Sequence, residues 1–308
     1  MAARIFIDGE AGTTGLEIRD RLARLPGIAL NSIDPALRKD AAARAAMMRA
    51  ADLVVLCLPD DAARDAVALA ATLGPDAPKI VDASTAHRVA PGWVYGFAEL
   101  DAKQAAAIRS ATYVANPGCY PTGAIAVLRP LIDAGLIPKD TAITVNAVSG
   151  YSGGGKAMIE AYEVAKTAPA FELYALGLEH KHMPELMAYS GLTRRPVFVP
   201  SVGNFRQGML VSIPLHLDLL PGQPSLKDIE AILSKHYAES VRVRVAADAA
   251  VTQSKLEPEA LNGTDQLDLF VFGNDQQNHA LLVARLDNLG KGAAGAAIQN
   301  LQLMLGLD

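Results

Sequence analysis

Cysteine is scarce in this sequence, with two residues among 308, Cys57 and Cys119. Two cysteines cannot form the disulfide framework of a small secreted domain, so we expect both thiols to be reduced. The residues after Met1 enter a strand-like run directly, without the apolar core of a signal peptide. Both observations favour a cytoplasmic location.

The sequence also lacks a long apolar run and an excess of positive charge. No stretch has the length of a transmembrane helix, although 51% of the residues are hydrophobic. The formal net charge is -5, so no basic field points to nucleic acid or an anionic membrane as a partner. We therefore expect a soluble globular protein of one or two domains.

The first half of the sequence alternates short apolar runs with helical patterns. The predicted strands are Arg4–Asp8, Ile28–Ile33, Asp52–Leu58, Lys79–Ala83 and Thr112–Ala115. The predicted helices between them are Gly12–Leu25, Lys39–Ala50, Asp60–Leu73 and Glu99–Ile108. This alternation is typical of βαβ units and predicts an α/β domain, a parallel sheet with helices on both faces.

Beyond a helix predicted from Cys119 to Gly135, the pattern changes to longer strands that alternate polar and apolar residues. They are Thr141–Ser149, Pro196–Val202, Gly208–Leu219, Val241–Ala247, Leu267–Gly273 and His279–Asp287. Alternation of this kind predicts a mostly antiparallel sheet with one solvated face. We expect the last helix, Lys291–Leu305, to return to the first domain. The predicted domains are 1–116 plus 288–308, and 117–287.

Three glycines follow the first strand and open the first helix: Gly9, Gly12 and Gly15, with Thr13 and Thr14 between them. Such a turn lets the backbone approach a pyrophosphate, whose charge is favoured at a helix N-terminus. The spacing is G-x-x-G-x-x-G rather than G-x-G-x-x-G, so a plain strand-to-helix turn is the alternative. We predict dinucleotide binding here.

The residues after the second strand leave the choice of dinucleotide open. Asp34 is placed to bind a ribose 2′-hydroxyl, which would indicate NAD. Arg38 and Lys39 are placed to bind a 2′-phosphate, which would indicate NADP.

Cys119 follows a strand-like run and the turn Asn116-Pro117-Gly118, and it begins a predicted helix. The N–H groups and partial positive charge of a first helical turn favour a thiolate over a thiol. We predict that Cys119 is a nucleophile. The alternative, a small buried apolar residue, better describes Cys57, which lies within an apolar strand.

A nucleophilic thiolate needs groups that exchange or orient protons, and the segment from Tyr174 to Glu185 supplies them. His180 and His182 alternate, so an extended backbone would point both to one side. One histidine would exchange protons while the other, with Glu185, orients it or the substrate. A zinc site and a pair of solvated histidines are the alternatives, but no further ligands stand at recognisable spacing. We expect His87 and the remaining histidines to be structural or exposed.

Two arginines are candidate anion ligands. Arg88 follows the carboxyl end of the fourth strand, where open α/β sheets bind ligands, and Arg206 lies in a turn between two strands. Their guanidinium groups match carboxylate and phosphate geometry, although ordinary surface arginines would look the same. The glycine-rich loop 149–156, with Ser152 and Gly153, would close over a cofactor or phosphate, or serve only as a flexible link.

Together these segments resemble the shorter form of the N-acetyl-γ-glutamyl-phosphate reductase family over nearly the whole chain. The resemblance is carried by IFIDGEAGTTGLEIR, ANPGCYPTGAI, SGYSGGGK, GLEHKHMPE, FVPSVGNFRQG and KGAAGAAIQNLQLMLG. The lack of further ligands at recognisable spacing predicts no resident metal. The resemblance implies a Rossmann-like domain, an α+β catalytic and oligomerisation domain, NADPH as reductant, and a homo-oligomer, a dimer or tetramer. It also implies reduction of an acyl phosphate to a semialdehyde through a cysteine thioester.

The resemblance assigns roles by position. Cys119 would be the nucleophile and His180 the acid/base, supported by Tyr174, His182 and Glu185. The substrate ligands would be Arg88, Arg206 and Asn116, and the cofactor ligands Gly9, Gly12, Thr13, Thr14, Gly15, Arg38, Ser152, Gly153 and Asn288. Aspartate-semialdehyde dehydrogenase and the reductase of the one-carbon-longer aminoadipyl substrate remain alternatives, as do a nucleotide-binding regulator without turnover and a zinc hydrolase.

Overall fold

The structure, a computed structural model, describes residues 2–308 apart from the side chains of residues 250 and 251. The chain divides into two compact units. The first unit contains the chain up to Ala98, Ala102–Pro117 and Ala293–Asp308, and the second contains Glu99–Asp101 and Gly118–Gly292.

The strands and helices are as follows in chain order. The strands are β1 (Ala3–Asp8), β2 (Ile28–Asn31), β3 (Leu53–Leu56), β4 (Lys79–Asp82), β5 (Val94–Tyr95), β6 (Tyr113–Ala115), β7 (Thr144–Gly150), β8 (Phe171–Leu173), β9 (Val197–Gly203), β10 (Met209–His216), β11 (Val243–Ala246), β12 (Leu267–Asn274) and β13 (His279–Leu286). The α-helices are α1 (Thr13–Leu22), α2 (Ala41–Ala50), α3 (Asp60–Ala71), α4 (Gln104–Ser110), α5 (Cys119–Asp133), α6 (Gly155–Glu160), α7 (Met183–Ser190), α8 (Leu226–His236), α9 (Ala249–Thr252) and α10 (Gly295–Leu305).

The sheet of the first unit is parallel throughout, with the strand order β2-β1-β3-β4-β6-β5. Successive side chains of a strand point to opposite faces, so β1 contributes to two cores. Ile5 and Ile7 pack with α1, α4 and α10, whereas Phe6 packs with α2 and α3. The predicted parallel sheet with helices on both faces is confirmed. The return of the last helix to this domain is confirmed as well.

The sheet of the second unit is mixed, with the order β11-β12-β13-β10-β7-β9-β8. Four of its six strand pairs are antiparallel, and the parallel pairs are β11/β12 and β7/β9. This confirms the predicted, mostly antiparallel sheet. Helix α5 lies against β10 and β13 and is almost entirely buried, as expected for a helix that is apolar on all sides. Gly123 permits this close approach, because a Cβ there would lie 2.8 Å from Val211 Cγ2.

Three local features differ from the sequence predictions. The predicted helix Glu99–Ile108 begins only at Gln104. The short strands β5 and β8 were not predicted, since two or three residues give no measurable alternation. The last helix is preceded by a π-helical turn, Gly290–Ala294. Within residues 2–308, no helix combines the length and apolar character needed to cross a membrane.

Candidate active site

The glycine turn of the first unit joins β1 to α1, and two of its glycines are required by the protein itself. Gly9 has a φ of +91°, and a Cβ there would overlap the carbonyl oxygen of Cys57. A Cβ on Gly15 would lie 2.6 Å from the carbonyl oxygen of Gly9. These two glycines close the turn and let α1 pack against the strand.

Gly12 is different, because nothing in the protein requires a glycine there. A Cβ would lie 3.4 Å from the nearest atom, the carbonyl oxygen of Gly9, which is ordinary contact. Gly12 caps α1 without a side-chain hydrogen bond, and it is exposed. Thr13 and Thr14 are the first two residues of α1, where backbone N–H groups have no partner within the helix. This cradle of N–H groups could hold a phosphate group of a dinucleotide.

The turn after β2 carries the candidate ligands for the dinucleotide ribose, one carboxylate for a 2′-hydroxyl and two cations for a 2′-phosphate. Asp34 already accepts a hydrogen bond from the Ala36 N–H at 2.8 Å. Arg38 and Lys39 are exposed and form no ion pair with any residue that the structure describes. Both charges are therefore available to a phosphate.

Arg88 and Asn116 lie together near the carboxyl ends of β4 and β6. Arg88 is buried and donates from Nε to the carbonyl oxygen of Asn116 at 3.0 Å. The Asn116 side chain donates to the carbonyl oxygen of Ala293 at 2.9 Å and accepts from Asn300 at 3.1 Å. The side-chain nitrogen and oxygen of Asn116 therefore both bind the C-terminal segment of the first unit. The sequence did not predict this structural role.

Asp82 and His87 form a buried pair beside Arg88 that sequence reasoning missed. His87 Nδ1 lies 2.6 Å from Asp82 Oδ2, and the imidazole stacks on Trp93 with ring centroids 4.2 Å apart. Asp82 also accepts from the Ser84 N–H and hydroxyl at 2.9 and 2.7 Å. The available signal was the Asp-x-Ser-x-x-His spacing at the end of a strand, where ligand-binding residues gather.

In the second unit, Cys119 is the first residue of α5 and is partly exposed. The residue before it, Gly118, donates its N–H to Glu185 Oε2 at 3.0 Å. Glu185 is 1% exposed and lies in the first turn of α7. The Gly118 carbonyl accepts from the N–H and hydroxyl of Thr122 at 2.9 and 2.8 Å. The backbone that carries the thiol is therefore held from both sides.

Gly292 packs directly against Cys119 and was not identified from the sequence. A Cβ on Gly292 would lie 2.9 Å from Cys119 Cβ and 3.0 Å from the carbonyl oxygen of Asp287. The preceding residue, Lys291, is 1% exposed, and its Nζ lies 2.6 Å from Glu99 Oε2. Burial lowers the pKa of Lys291, and the Glu99 charge opposes that shift. The only signal in the sequence was the pair of glycines around a lysine.

His180, His182 and Tyr174 gather around Tyr120, the neighbour of Cys119. The rings of His180 and His182 are 4.7 Å apart, and both lie within about 6 Å of the Tyr120 ring. Tyr174 Oη lies 3.1 Å from Tyr120 Oη and 3.4 Å from His180 Nε2. Phe198 closes the cluster at 5.2 Å from the His180 ring. The side chains predicted to act together are brought together.

The predicted extended backbone through the two histidines is wrong. Residues 175–182 form turns, and His182 is the N-cap of α7 with φ −85° and ψ −6°. Ala175 and Leu178 have φ values of +52° and +57°, which side-chain-bearing residues rarely adopt. Strained backbone of this kind is concentrated at functional sites. The imidazoles meet because the chain turns, not because they alternate on a strand.

The glycine-rich loop is tied to the Arg206 turn by Asn288. The buried Asn288 side chain accepts from the Gly208 N–H at 2.8 Å and donates to Ser152 Oγ at 2.9 Å. A Cβ on Gly153 would lie 3.0 Å from Ser149 Oγ. Ser152, Gly153 and Asn288 thus form one connected loop structure within the second unit.

Arg206 is exposed and forms an ion pair with Glu163. Glu163 also accepts from the Tyr151 hydroxyl at 3.2 Å. The guanidinium of Arg206 is thus already paired with a carboxylate of the protein.

The thiol of Cys57 is a poor candidate for a nucleophile. Burial, with smaller contributions from the charges of Asp82 and Asp8, raises the pKa of Cys57 to about 12. Burial likewise raises the pKa of Tyr174 to about 12 and that of Tyr120 well above its usual range. In both tyrosines the charge of Cys119 adds to the shift, which places the thiol close to the two phenols.

The raised pKa of Cys57 gives a prediction for thiol reactivity. At neutral pH a thiol with a pKa of about 12 is protonated and therefore a poor nucleophile. Iodoacetamide should label Cys119 at least about 10-fold faster than Cys57, measured by mass spectrometry of the two peptides. Equal labelling rates in folded protein would contradict the assignment of Cys119 as the activated thiol.

In the described part of the chain, no group of three or more His, Cys, Asp or Glu side chains is arranged to hold a metal ion.

Two family models match the sequence. "Semialdehyde dehydrogenase, NAD binding domain" matches residues 27–108, and "Semialdehyde dehydrogenase, dimerisation domain" matches residues 119–288. The first match begins after the glycine turn. The second covers more than half of the chain and begins at Cys119 itself.

Individual relatives were found both among protein sequences and among solved structures, and the sequence relatives share far more identical residues with this chain. The N-acetyl-gamma-glutamyl-phosphate reductase of Chelativorans sp. (strain BNC1) is 53% identical over 309 residues, 99% of each chain. Aspartate semialdehyde dehydrogenase II from Vibrio cholerae has a TM-score of 0.73 at 14% identity, covering 99% of both chains. Aspartate semialdehyde dehydrogenase with NADP from Candida albicans has a TM-score of 0.65 at 15% identity, also covering 99% of both. The two solved structures establish the fold.

Proposed function

Because this chain belongs to the N-acetyl-γ-glutamyl-phosphate reductase family, we propose that it reduces N-acetyl-γ-glutamyl phosphate with NADPH. The products are N-acetylglutamate 5-semialdehyde and phosphate, as arginine biosynthesis requires. The observation that carries the proposal is Cys119 at the start of α5, with its backbone held by Glu185 and the His180 cluster beside it.

Cys119 is the proposed nucleophile. Its thiolate attacks the acyl carbon of the mixed anhydride, a C–S bond forms, and the acyl C–O bond breaks with its electron pair leaving on phosphate. The N–H groups at the start of α5 and the His180 side chain stabilise the oxyanion that develops on the acyl oxygen. Bound NADPH supplies the two electrons that convert the resulting thioester to the aldehyde, and the thiolate is regenerated.

The roles of the other predicted site residues are also proposals. Arg88 and Arg206 would bind anionic groups of the substrate, with Arg206 exchanging the Glu163 carboxylate for that of the ligand. Tyr174, His182 and Glu185 would position the reacting groups. Asn116, Ser152, Gly153 and Asn288 would act through the local structure that they hold. The domain division into 1–116 with 288–308, for the dinucleotide, and 117–287, for catalysis and assembly, stays a prediction.

The glycine turn and Arg38 are the proposed cofactor ligands, with the cradle at Gly12 as the structural support. Replacing Arg38 by alanine should raise the KM for NADPH about 10-fold, which corresponds to ~1.4 kcal/mol, because the variant lacks the cation that pairs with the 2′-phosphate. The KM for NADH, which has no 2′-phosphate, should not change. Arg24→Ala, an exposed arginine just beyond the other end of α1, is the matched control. Equal increases in the KM for NADPH and for NADH would contradict the assignment of Arg38 as a ligand of the 2′-phosphate.

A substrate comparison tests the proposed function. Initial rates of NADPH oxidation are measured with N-acetyl-γ-glutamyl phosphate, aspartyl phosphate and N-acetyl-aminoadipyl phosphate. We expect the first to have the highest kcat/KM, with the methylene homologue lower by roughly 10–200-fold. Preference for aspartyl phosphate would contradict the proposal, and no oxidation with all three would leave nucleotide binding without turnover as the better account.

We propose that a second copy of the chain packs on the face of the second sheet opposite α5, forming a homo-oligomer. That face carries the exposed apolar side chains Phe171, Leu173 and Leu281 around a groove of about 680 Å³. Exposed apolar patches of this kind mark interaction surfaces. The dimerisation description of the matched family model supports the same occupant. Both cysteines are outside disulfide bonds, and the reducing cytoplasm is the proposed location.

Light scattering after gel filtration tests this surface. Phe171→Glu should reduce the assembly to a smaller species, because a carboxylate is costly to bury in an apolar contact. Leu219→Glu, at another exposed leucine, should leave the mass unchanged. If Phe171→Glu kept the wild-type mass, the interface would have to lie elsewhere.

A further inference from the structure

We propose that Asp287 is a positioning residue for the reaction, because its carboxylate fixes both the backbone behind Cys119 and the turn that carries Arg206. Its action is indirect, through the segments that it holds, and needs no contact with the acyl group. The proposal rests on the proposed function for the roles of Cys119 and Arg206. The sequence pattern predicts Asp287 only as the last residue of a strand.

Asp287 directly follows β13 and is completely buried. Its Oδ2 accepts hydrogen bonds from Gln207 Nε2 at 2.5 Å and from the Gly263 N–H at 2.8 Å. Its Oδ1 accepts from the Leu289 N–H at 2.8 Å. Burying a carboxylate is costly unless it is hydrogen-bonded, and bonds to a charged acceptor are stronger than those between neutral groups. The three segments that supply these donors are therefore held firmly at the carboxylate.

The first of these segments, residues 289–292, runs directly behind the nucleophile. The Gly292 N–H donates to the Asp287 carbonyl oxygen at 3.0 Å, so the segment folds back onto Asp287. A Cβ on Gly292 would lie 2.9 Å from Cys119 Cβ, which leaves no space for a side chain between them. The segment therefore limits where the Cys119 side chain can lie, and Asp287 fixes the segment.

The same segment is tightly packed and has a second anchor. A Cβ on Gly290 would overlap the carbonyl oxygen of Thr264. Lys291 is 1% exposed, and its Nζ lies 2.6 Å from Glu99 Oε2. The segment is therefore held at both ends, by the Asp287 carboxylate at one and by Glu99 at the other.

The second segment is the turn between β9 and β10, which carries Arg206. Gln207, the next residue, donates its side chain to Asp287. The Gly208 N–H donates to the side chain of Asn288 at 2.8 Å. These two bonds attach the turn to two successive residues. The backbone that carries Arg206 is thereby fixed relative to Asp287, and through Asp287 relative to the nucleophile.

A shared anchor matters because the reaction needs two distances at once. Cys119 has to reach the acyl carbon at about 3–3.5 Å while an anionic group of the same substrate stays on Arg206. If the thiol and the guanidinium stood on segments without a common anchor, their separation would vary with the motion of either segment. A misplacement of about 1 Å costs about 10²-fold in rate. Asp287 holds that separation.

Asp287→Asn tests the part of this role that acts on the thiol. We expect the amide oxygen to take the Oδ2 position, where two donors point, so that the NH₂ group faces the Leu289 N–H. The segment behind Cys119 is then released while the bond to Gln207 remains. We expect kcat to fall by about 10²-fold, with the KM for N-acetyl-γ-glutamyl phosphate within about 3-fold of the wild type. Turnover at the wild-type kcat would overturn the proposal.

Gln207→Met tests the part that acts on Arg206. Methionine has a similar length but cannot donate a hydrogen bond, so this variant releases the Arg206 turn and leaves residues 289–292 in place. We expect the KM for the acyl phosphate to rise about 10-fold, with kcat within about 3-fold of the wild type. The same pattern of kcat and KM in both variants would contradict a carboxylate that holds two separate segments.

The pH profile of iodoacetamide labelling tests the segment behind Cys119 without substrate. A thiol that is no longer held at the start of α5 loses the stabilisation of its thiolate by the first helical turn. We expect Cys119 in Asp287→Asn to be labelled about 10-fold more slowly than in the wild type at neutral pH, and equally fast at high pH. Identical profiles would overturn the proposal. If the profile changes but the wild type reduces no acyl phosphate, the proposed function fails and the positioning of the thiol by Asp287 stands.

Asp268→Asn controls for the loss of a buried carboxylate in general. Asp268 lies in β12 of the same unit, is 9% exposed and pairs with Arg244 and Arg285. Both variants should melt earlier than the wild type, but only Asp287→Asn should change kcat and the labelling profile of Cys119. Equal changes in both would show a loss of stability alone and would contradict the proposal. If Asp287→Asn does not fold, Gln207→Met decides, and an unchanged KM in that variant would overturn the proposal.

Discussion

The Cys119→Ala variant is expected to lose at least about 10⁴-fold in kcat for acyl phosphate reduction while it still binds NADPH. No other thiol can replace Cys119, because the pKa of Cys57 is raised to about 12 and its thiol stays protonated. Loss of a nucleophile removes the covalent route, and losses of this size are observed when nucleophiles are removed from comparable enzymes. Steady-state rates and cofactor titration by fluorescence measure the two properties separately.

Cys57→Ala is the matched control for this variant. The substitution removes the same thiol group from a strand end in the first unit, and kcat should stay within about 3-fold of the wild type. If Cys119→Ala retained wild-type turnover, or if both variants lost activity equally, the assignment of the nucleophile would have to be abandoned.

The second large effect is expected from Gly292→Ala. The added methyl group would lie 2.9 Å from Cys119 Cβ and 3.0 Å from the Asp287 carbonyl oxygen, so backbone at the nucleophile must move. A displacement of about 1 Å at a reacting group costs about 10²-fold in rate. We expect kcat to fall by about that factor, with a smaller change in the KM for NADPH.

Gly177→Ala separates this local effect from a general cost of replacing glycine. Gly177 lies in the same unit, and a Cβ there would have no atom within 4 Å. Its kcat and melting temperature should both stay at the wild-type values. A Gly292→Ala variant that melts earlier but turns over normally would show that Gly292 serves packing alone.

The parts of the fold that depend on local pattern could be predicted from the sequence. The buried strand Leu53–Leu56 and the helix Asp60–Ala71 were predicted within two residues at each end, since an apolar run and a 3.6-residue period are short-range signals. The same reasoning placed Cys119 at the start of a helix, and α5 begins there.

Features that depend on contacts between residues far apart in the sequence could not be predicted. Gly292 meets Cys119 across 173 residues of sequence, and Glu99 meets Lys291 across 192. No periodicity reports such a contact. The left-handed residues Ala175 and Leu178 also have no sequence signal, because neither is glycine, asparagine or aspartate. The orientation of the two histidines was therefore wrongly predicted although their proximity was not.

Peptide mass spectrometry of the acylated enzyme tests the central claim most directly. The protein is mixed with N-acetyl-γ-glutamyl phosphate in the absence of NADPH, quenched in acid and digested. We predict an N-acetylglutamyl adduct on the peptide that contains Cys119, which disappears when NADPH is added before the quench. An unmodified Cys119 in enzyme that releases semialdehyde, or an adduct on another residue, would contradict it.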